Sequence, residues 1–342
     1  MKAFNFAEDV VSTEVVVTDG FADGGVGILQ GQHITTSSLS AVQKKYYYNL
    51  QYNSKDHISV SYGHIAGSGS SEQSSTVEGE TKAVYGQFYN LVESDRSALK
   101  RNVGFIIGNV TCSDAYFLSV ERLQMKDRLN PGTWTLSLSG STTPGVGTTL
   151  NLTDNSKLSD ASSAPFGEKY SIQVGTAGNV TDSTEHGHFY PDAGLMVFSA
   201  TALSASLPGT AAFKTAGHSS LVTQGTGLCP DVRVHGDADN ANKLAIAIRK
   251  GSVTLRSEEN QYIYDYFCRA KANEFNYSQN LTFWSGSQYE IRHKDMVNNP
   301  QVYITEVGLY DEVGDLMAIG RLSGALEKNF SSEAIVKVRL TY

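Results

Sequence analysis

The chain has 342 residues, 40% hydrophobic and only 18% charged, with a formal net charge of −8 and a pI near 5.5. That length allows two or three domains, or one large β-rich body carrying insertions. No Lys/Arg run exceeds the pair Lys44-Lys45, which argues against nucleic acid as the main ligand, because phosphate binding needs a concentrated basic face.

The N-terminus meets Glu8 and Asp9 before any apolar run long enough for a signal peptide, and no window reaches the length of a membrane span. The expectation is synthesis in the cytosol. Cys112, Cys229 and Cys268 lie far apart with no C-x-x-C spacing, and read as buried reduced thiols.

Residues 10 to 62 read as short strands, in which "STEVVVTD" and "HISVSYG" are separated by the glycine punctuation of "DGFADGGVG". The tract 66–80, "AGSGSSEQSSTVEGE", has little to bury and predicts an exposed loop. Val84, Phe88 and Leu91 then recur at i, i+4, i+7, which predicts a short amphipathic helix with Thr81 as its N-cap.

From about 102 the texture turns to β. In "GTWTLSLSG", Trp134, Leu136 and Leu138 alternate with polar residues, so one face is buried and the other wet. "AYFLSVERLQ", "TTLNLTD", "KYSIQVG" and "GLMVFSA" continue the series at the spacing of a sandwich or barrel. "SLPGTAAFKTAGHSSLVTQGTG" reads as a long connection, and "KLAIAIRKGSVTLRS" as a return to strand. Ser257, Glu258 and Glu259 resemble a helix start, with Ile263, Phe267 and Ala270 on one face, so 257–275 predicts a helix. "QVYITEVGLY" and "DLMAIGRLS" predict a hairpin around the turn "DEVGD". "EAIVKVRLTY" predicts a last strand with Val336, Val338 and Leu340 inward, and Lys337, Arg339 and Thr341 outward.

The fold expectation is mainly β with a few helices (α+β), in three segments. Residues 1–101 form a β-rich N-terminal segment, and 102–205 a β-sandwich-like or barrel-like middle domain. Residues 206–342 form a C-terminal module of helix and antiparallel sheet, free to pack with the N-terminal segment.

Chemistry is scarce. Glu185, His186, His188 and Asp192 in "EHGHFYPD" are the sharpest metal candidates. Histidines two apart share a face only on a regular strand, however, and the preferred reading is a polar loop. "GVGILQG" and "GSGSS" lack the Lys-Ser/Thr of a phosphate loop, and no G-x-S-x-G elbow occurs. The expectation is therefore no catalytic residue, no metal and no cofactor. The 18 tyrosines carry more information, because tyrosine offers contact area with few rotatable bonds. Candidate interface residues are Tyr46, Tyr47 and Tyr48, then Tyr303, Tyr310, Arg339 and Tyr342 in the patterned C-terminal region; strand alternation sends at least one of the first three outward.

That region, "ITEVGLYDEVGDLMAIGRL", resembles the hairpin recurring in tail-fibre, baseplate and other tail-associated structural proteins of contractile-tailed bacteriophages. The likeness extends to "RSEENQYIYDYFCRAKANEFNYSQN" and through "EAIVKVRLTY", and resembles virion structural proteins of T-even-type phages, including those infecting cyanobacteria. What the resemblance implies is a non-enzymatic virion protein of the tail, made in the bacterial cytoplasm. Other tail or baseplate proteins would be its partners, in a homo-oligomer or symmetric multi-copy assembly. A baseplate position leads, with a neck or collar component, or a receptor- or carbohydrate-binding fibre or adhesin, as alternatives.

Overall fold

A computed structural model describes residues 4–20, 28–30, 33–70, 79–93, 104–143, 146–208, 227–230, 240–278, 280–288 and 290–341. The chain is mainly β with a few short helices, as expected. It divides into two compact units, Val17–Glu259 and a smaller one made of Met1–Val16 with Asn260–Tyr342.

The larger unit is organised by one antiparallel sheet of twelve strands among the described residues. Its order runs Ile28–Gln30, Ser252–Thr254, Thr135–Thr143, Val146–Asp154, Gly167–Thr176, Asn179–Tyr190, Leu195–Ser199, Asp114–Val120, Lys55–His64, Tyr47–Tyr52 and Thr35–Thr36, with Ser162–Ala164 paired to Gly167–Thr176 at the side. The two central strands are near-continuous apolar runs because both of their faces are covered. Tyr116, Leu118, Met196 and Phe198 enter one core; Ala115, Phe117, Leu195 and Val197 enter the other. The first core is closed by helices Ala200–Ser206 and Asn240–Lys250, through Leu203, Leu244, Ala245 and Ile248. The second is closed by helix Glu80–Val92 and the small hairpin formed by Phe105–Ile107 and Val110–Cys112. Phe88 stacks on Phe117 at 4.4 Å between ring centroids. Gly63 permits the helix to sit so close, since a Cβ there would lie 2.7 Å from the Tyr85 backbone nitrogen. Each large apolar side chain fully buried this way contributes about 1.5–3 kcal/mol.

Several expectations need correction. Residues 102–205 are not a separate sandwich, because Ile58–His64 pairs residue by residue with Asp114–Val120, placing N-terminal and middle strands in one sheet. "KLAIAIRK" is helical: its apolar residues satisfy both a period of two and a helical stripe, and the core takes Ala241, Leu244, Ala245 and Ile248. The helix predicted at 257–275 is the strand Arg256–Ala270. Glu258 and Glu259 bind Arg128 and Lys126 instead of capping a helix, and Ile263–Ala270 pairs with Ala334–Thr341. The C-terminal module therefore has a strand where its helix was expected. The helix at Glu80–Val92 is present, but its N-cap is Gly79. Thr81 is buried, with its hydroxyl donating to the Ser68 carbonyl at 2.9 Å. Cys112 is buried as expected, while Cys229 and Cys268 are only partly so. Most of the 66–80 tract, the "FADGGVG" turn and most of the long connection after residue 208 lie outside the described residues.

Val10–Gly20, Arg256–Ala270 and Ala334–Thr341 form a sheet in that order, with residues 10–16, 260–270 and 334–341 of it in the smaller unit, where Val302–Tyr310 with Leu316–Lys328 forms the expected hairpin. Among the described residues, the unit's buried apolar side chains are Ala270, Leu309 and Ala334 alone.

Candidate functional site

The hairpin and the terminal strand are the candidate site, and the turn shows how sequence makes it. Asp311 Oδ1 accepts the backbone N–H groups of Val313, Gly314 and Asp315 at 3.0, 2.7 and 2.7 Å. Gly314 takes the left-handed conformation at φ +97°, which a residue with a Cβ rarely adopts. Asp311 therefore forms the turn, while Glu312 and Asp315 stand exposed beside Val313.

Pairing sets the two faces of the hairpin. Val307, Gly320, Leu309 and Ala318 share the inner face, where a Cβ on Gly320 would meet Val338 of the terminal strand at 3.3 Å. The outer face carries Tyr310, Leu316 and Ile319, all exposed, with the ion pair Glu306–Arg321 at 3.4 Å. Beyond Ile304 the ladder is interrupted, and Leu322–Ala325 stand against the single residue Thr305.

The hairpin base is anchored by Lys328, whose side chain is fully buried. Its ammonium donates to Asn276 Oδ1 at 2.6 Å, the Asn329 carbonyl at 2.8 Å and the Ala272 carbonyl at 3.2 Å. Three neutral oxygens thus use the three N–H bonds of the ammonium, compensating its removal from water.

The terminal strand keeps its expected alternation, but Val336, Val338 and Leu340 are half-buried, not enclosed. On the opposite face Arg339 grips Asp265 with two nitrogens, at 2.8 and 3.1 Å, and Lys337 reaches the same carboxylate at 2.6 Å. Hydrogen bonds from Arg339, then from Lys337, draw the Asp265 carboxyl down to about 2, and the same pairing raises Arg339.

The expected interface residues divide accordingly. Tyr303, Tyr310 and Arg339 are exposed on this module, while Tyr342 lies outside the described residues. Tyr46 is exposed and Tyr47 half-buried, but Tyr48 retains only 7% of its surface and belongs to the first core. Strand alternation buries Tyr48 together with Leu50, so it presents no surface to a partner.

"EHGHFYPD" lies within the strand Asn179–Tyr190 and its following turn, not in a loop before a strand. Ile172 faces Gly187 while Gln173 faces Glu185, so His186 is an extra, bulged residue. The bulge separates the histidines: His186 reaches Ser206, whose helix closes the first core, and His188 lies beside Glu93, at the end of the helix closing the second. His188 Nε2 is 3.1 Å from Glu185 Oε1, which also accepts from Ser171, while Gly108 N–H donates to Oε2. Burial favours the neutral Glu185 carboxyl, but these bonds from His188, Ser171 and Gly108 outweigh it and bring it to about 2. Glu93 in turn accepts from Lys169 and Tyr190. Among the described residues no group of three or more His, Cys, Asp or Glu could hold a metal ion. The cluster joins a helix end and a hairpin to the sheet. Nothing in the sequence marked Glu93 or Lys328 beforehand, since the partners of Glu93 and two of the three acceptors of Lys328 lie dozens of positions away.

No helix among the described residues is long and apolar enough to cross a membrane. Comparison with known proteins finds no matching family model, no matching curated protein and no matching solved structure.

Proposed function

We propose that this protein is a structural subunit of a contractile bacteriophage tail, positioned at the baseplate, that acts through its interfaces and not through catalysis. The observation carrying the assembly reading is the composition of the smaller unit. It contributes 17 of the 25 large apolar side chains that stand exposed among the described residues, yet buries only one leucine and two alanines. A surface so apolar is matched by a partner. The tail assignment rests on the resemblance of residues 304–322 and their flanks to tail-associated proteins.

The test is incorporation. A chain carrying Leu316→Asp and Ile319→Asp, supplied during infection by a phage lacking the wild-type gene, is expected to fold but to be absent from purified particles. Cryo-EM of wild-type particles is expected to place the chain at the baseplate; density at the neck or along a fibre would move the assignment there. Absence of the wild-type chain from virions would overturn the proposal. Exposed Tyr262, Tyr277, Tyr303 and Tyr310 also offer rings on which sugars stack, and specific binding on a glycan array would favour the fibre or adhesin reading.

A further inference from the structure

We infer that the occupant of this surface is a second copy of the chain, with the hairpin turn of one copy docking on the exposed face of the neighbour's terminal strand. The inference rests on the assembly reading above and names its partner.

The two surfaces are complementary in charge and both apolar. The turn places Asp311, Glu312 and Asp315 within five residues, beside Val313 and Met317, which keep 87% and 70% of their surface, and Leu316. Asp311 is occupied by the turn's own N–H groups, leaving Glu312 and Asp315 to face outward. On the terminal strand the open face presents Ile335, Lys337 and Arg339. Both cations share the single carboxylate of Asp265, which leaves one positive charge in excess. An acidic, apolar projection thus has a basic, partly apolar landing face on the same chain.

Like-to-like contacts are disfavoured. Turn against turn would oppose two sets of three carboxylates, and the terminal strand paired to its own copy would bring Lys337 and Arg339 against their like. The contact is therefore heterologous: each copy offers one turn and one landing face, and repetition gives a ring if the rotation closes and an open array if it does not.

Sedimentation velocity of the full chain tests this. The wild type is expected to form concentration-dependent oligomers that weaken as salt rises. A turn variant carries Glu312→Lys and Asp315→Lys. A strand variant carries Lys337→Glu and Arg339→Glu with Asp265→Arg, which keeps the internal pairing with inverted sign. Each alone is expected to associate about tenfold or more weakly than wild type. Mixed together they present opposite charges again, and association is expected to return, a rescue that misfolded variants would not give. A wild type that stays monomeric, variants that associate as wild type does, or a mixture that stays monomeric would each overturn the inference. Virion incorporation, measured separately, would then still decide the tail reading.

Discussion

The two units of this chain are both antiparallel β, but they use their apolar side chains in opposite ways. In Val17–Glu259 the central strands send Phe117 and Val197 to one side and Tyr116 and Phe198 to the other, each side closed by helices. In the smaller unit the hairpin shields one face of the terminal strand, while Tyr310, Leu316 and Ile319 remain in solvent. What differs is the presence of a covering layer. A strand pattern specifies a face to be buried, and another element, or another chain, has to bury it.

The contrast can be broken at its strongest point. Phe117→Ala removes a ring packed against Phe88, Phe105 and Tyr85, and is expected to cost about 3–5 kcal/mol in denaturant unfolding of the larger unit. Lys328→Met comes next. It leaves Asn276 Oδ1 and two carbonyls without their donor, at an expected cost of about 1–3 kcal/mol. The loss should appear as faster amide exchange at 302–304 and 326–328, with the larger unit unchanged.

Acid sharpens the contrast further. Glu185 is held at about 2, below its ordinary 4.5, so its contribution is complete above pH 4.5 and is lost as pH falls toward 2. Asp265 behaves likewise between 3.8 and about 2, but its partners Lys337 and Arg339 are exposed, so solvent screens these ion pairs. Acid titration followed by amide exchange should therefore loosen Glu185's anchoring of Gly108 more than the pairing of Ile263–Ala270 with Ala334–Thr341. Glu185→Gln should remove most of the first effect. The smallest change is expected for Ile319→Ala in the free chain, within about 0.5 kcal/mol of wild type, because its side chain already stands in solvent.

Much of this architecture was legible in sequence where one period dominated. Trp134, Leu136 and Leu138 alternate cleanly, and the strand Thr135–Thr143, with Trp134 just before it, buries that face; "DEVGD" forms a turn through Asp311 and Gly314. Where two periods coexist, long-range packing decided. "KLAIAIRK" became a helix because a helical stripe fits the first core. "QYIYDYFCRA" became a strand because Ala334–Thr341 pairs beside it, a partner more than sixty residues away. The histidine pair turned on a single bulged residue, His186, which local spacing does not reveal. The candidate surface was readable as a hairpin and a terminal strand, but its lack of an enclosed core was not, since exposure depends on which layers are absent.

The central claim is that the smaller unit completes its burial on a partner. Amide exchange across residues 302–341, compared between the free chain and the chain within assembled particles, tests it most directly. The account expects fast exchange in the free chain and protection at least about a hundredfold greater after assembly. Exchange in the free chain as slow as that of Asp114–Val120, unchanged by assembly, would show a unit stable on its own and would contradict it.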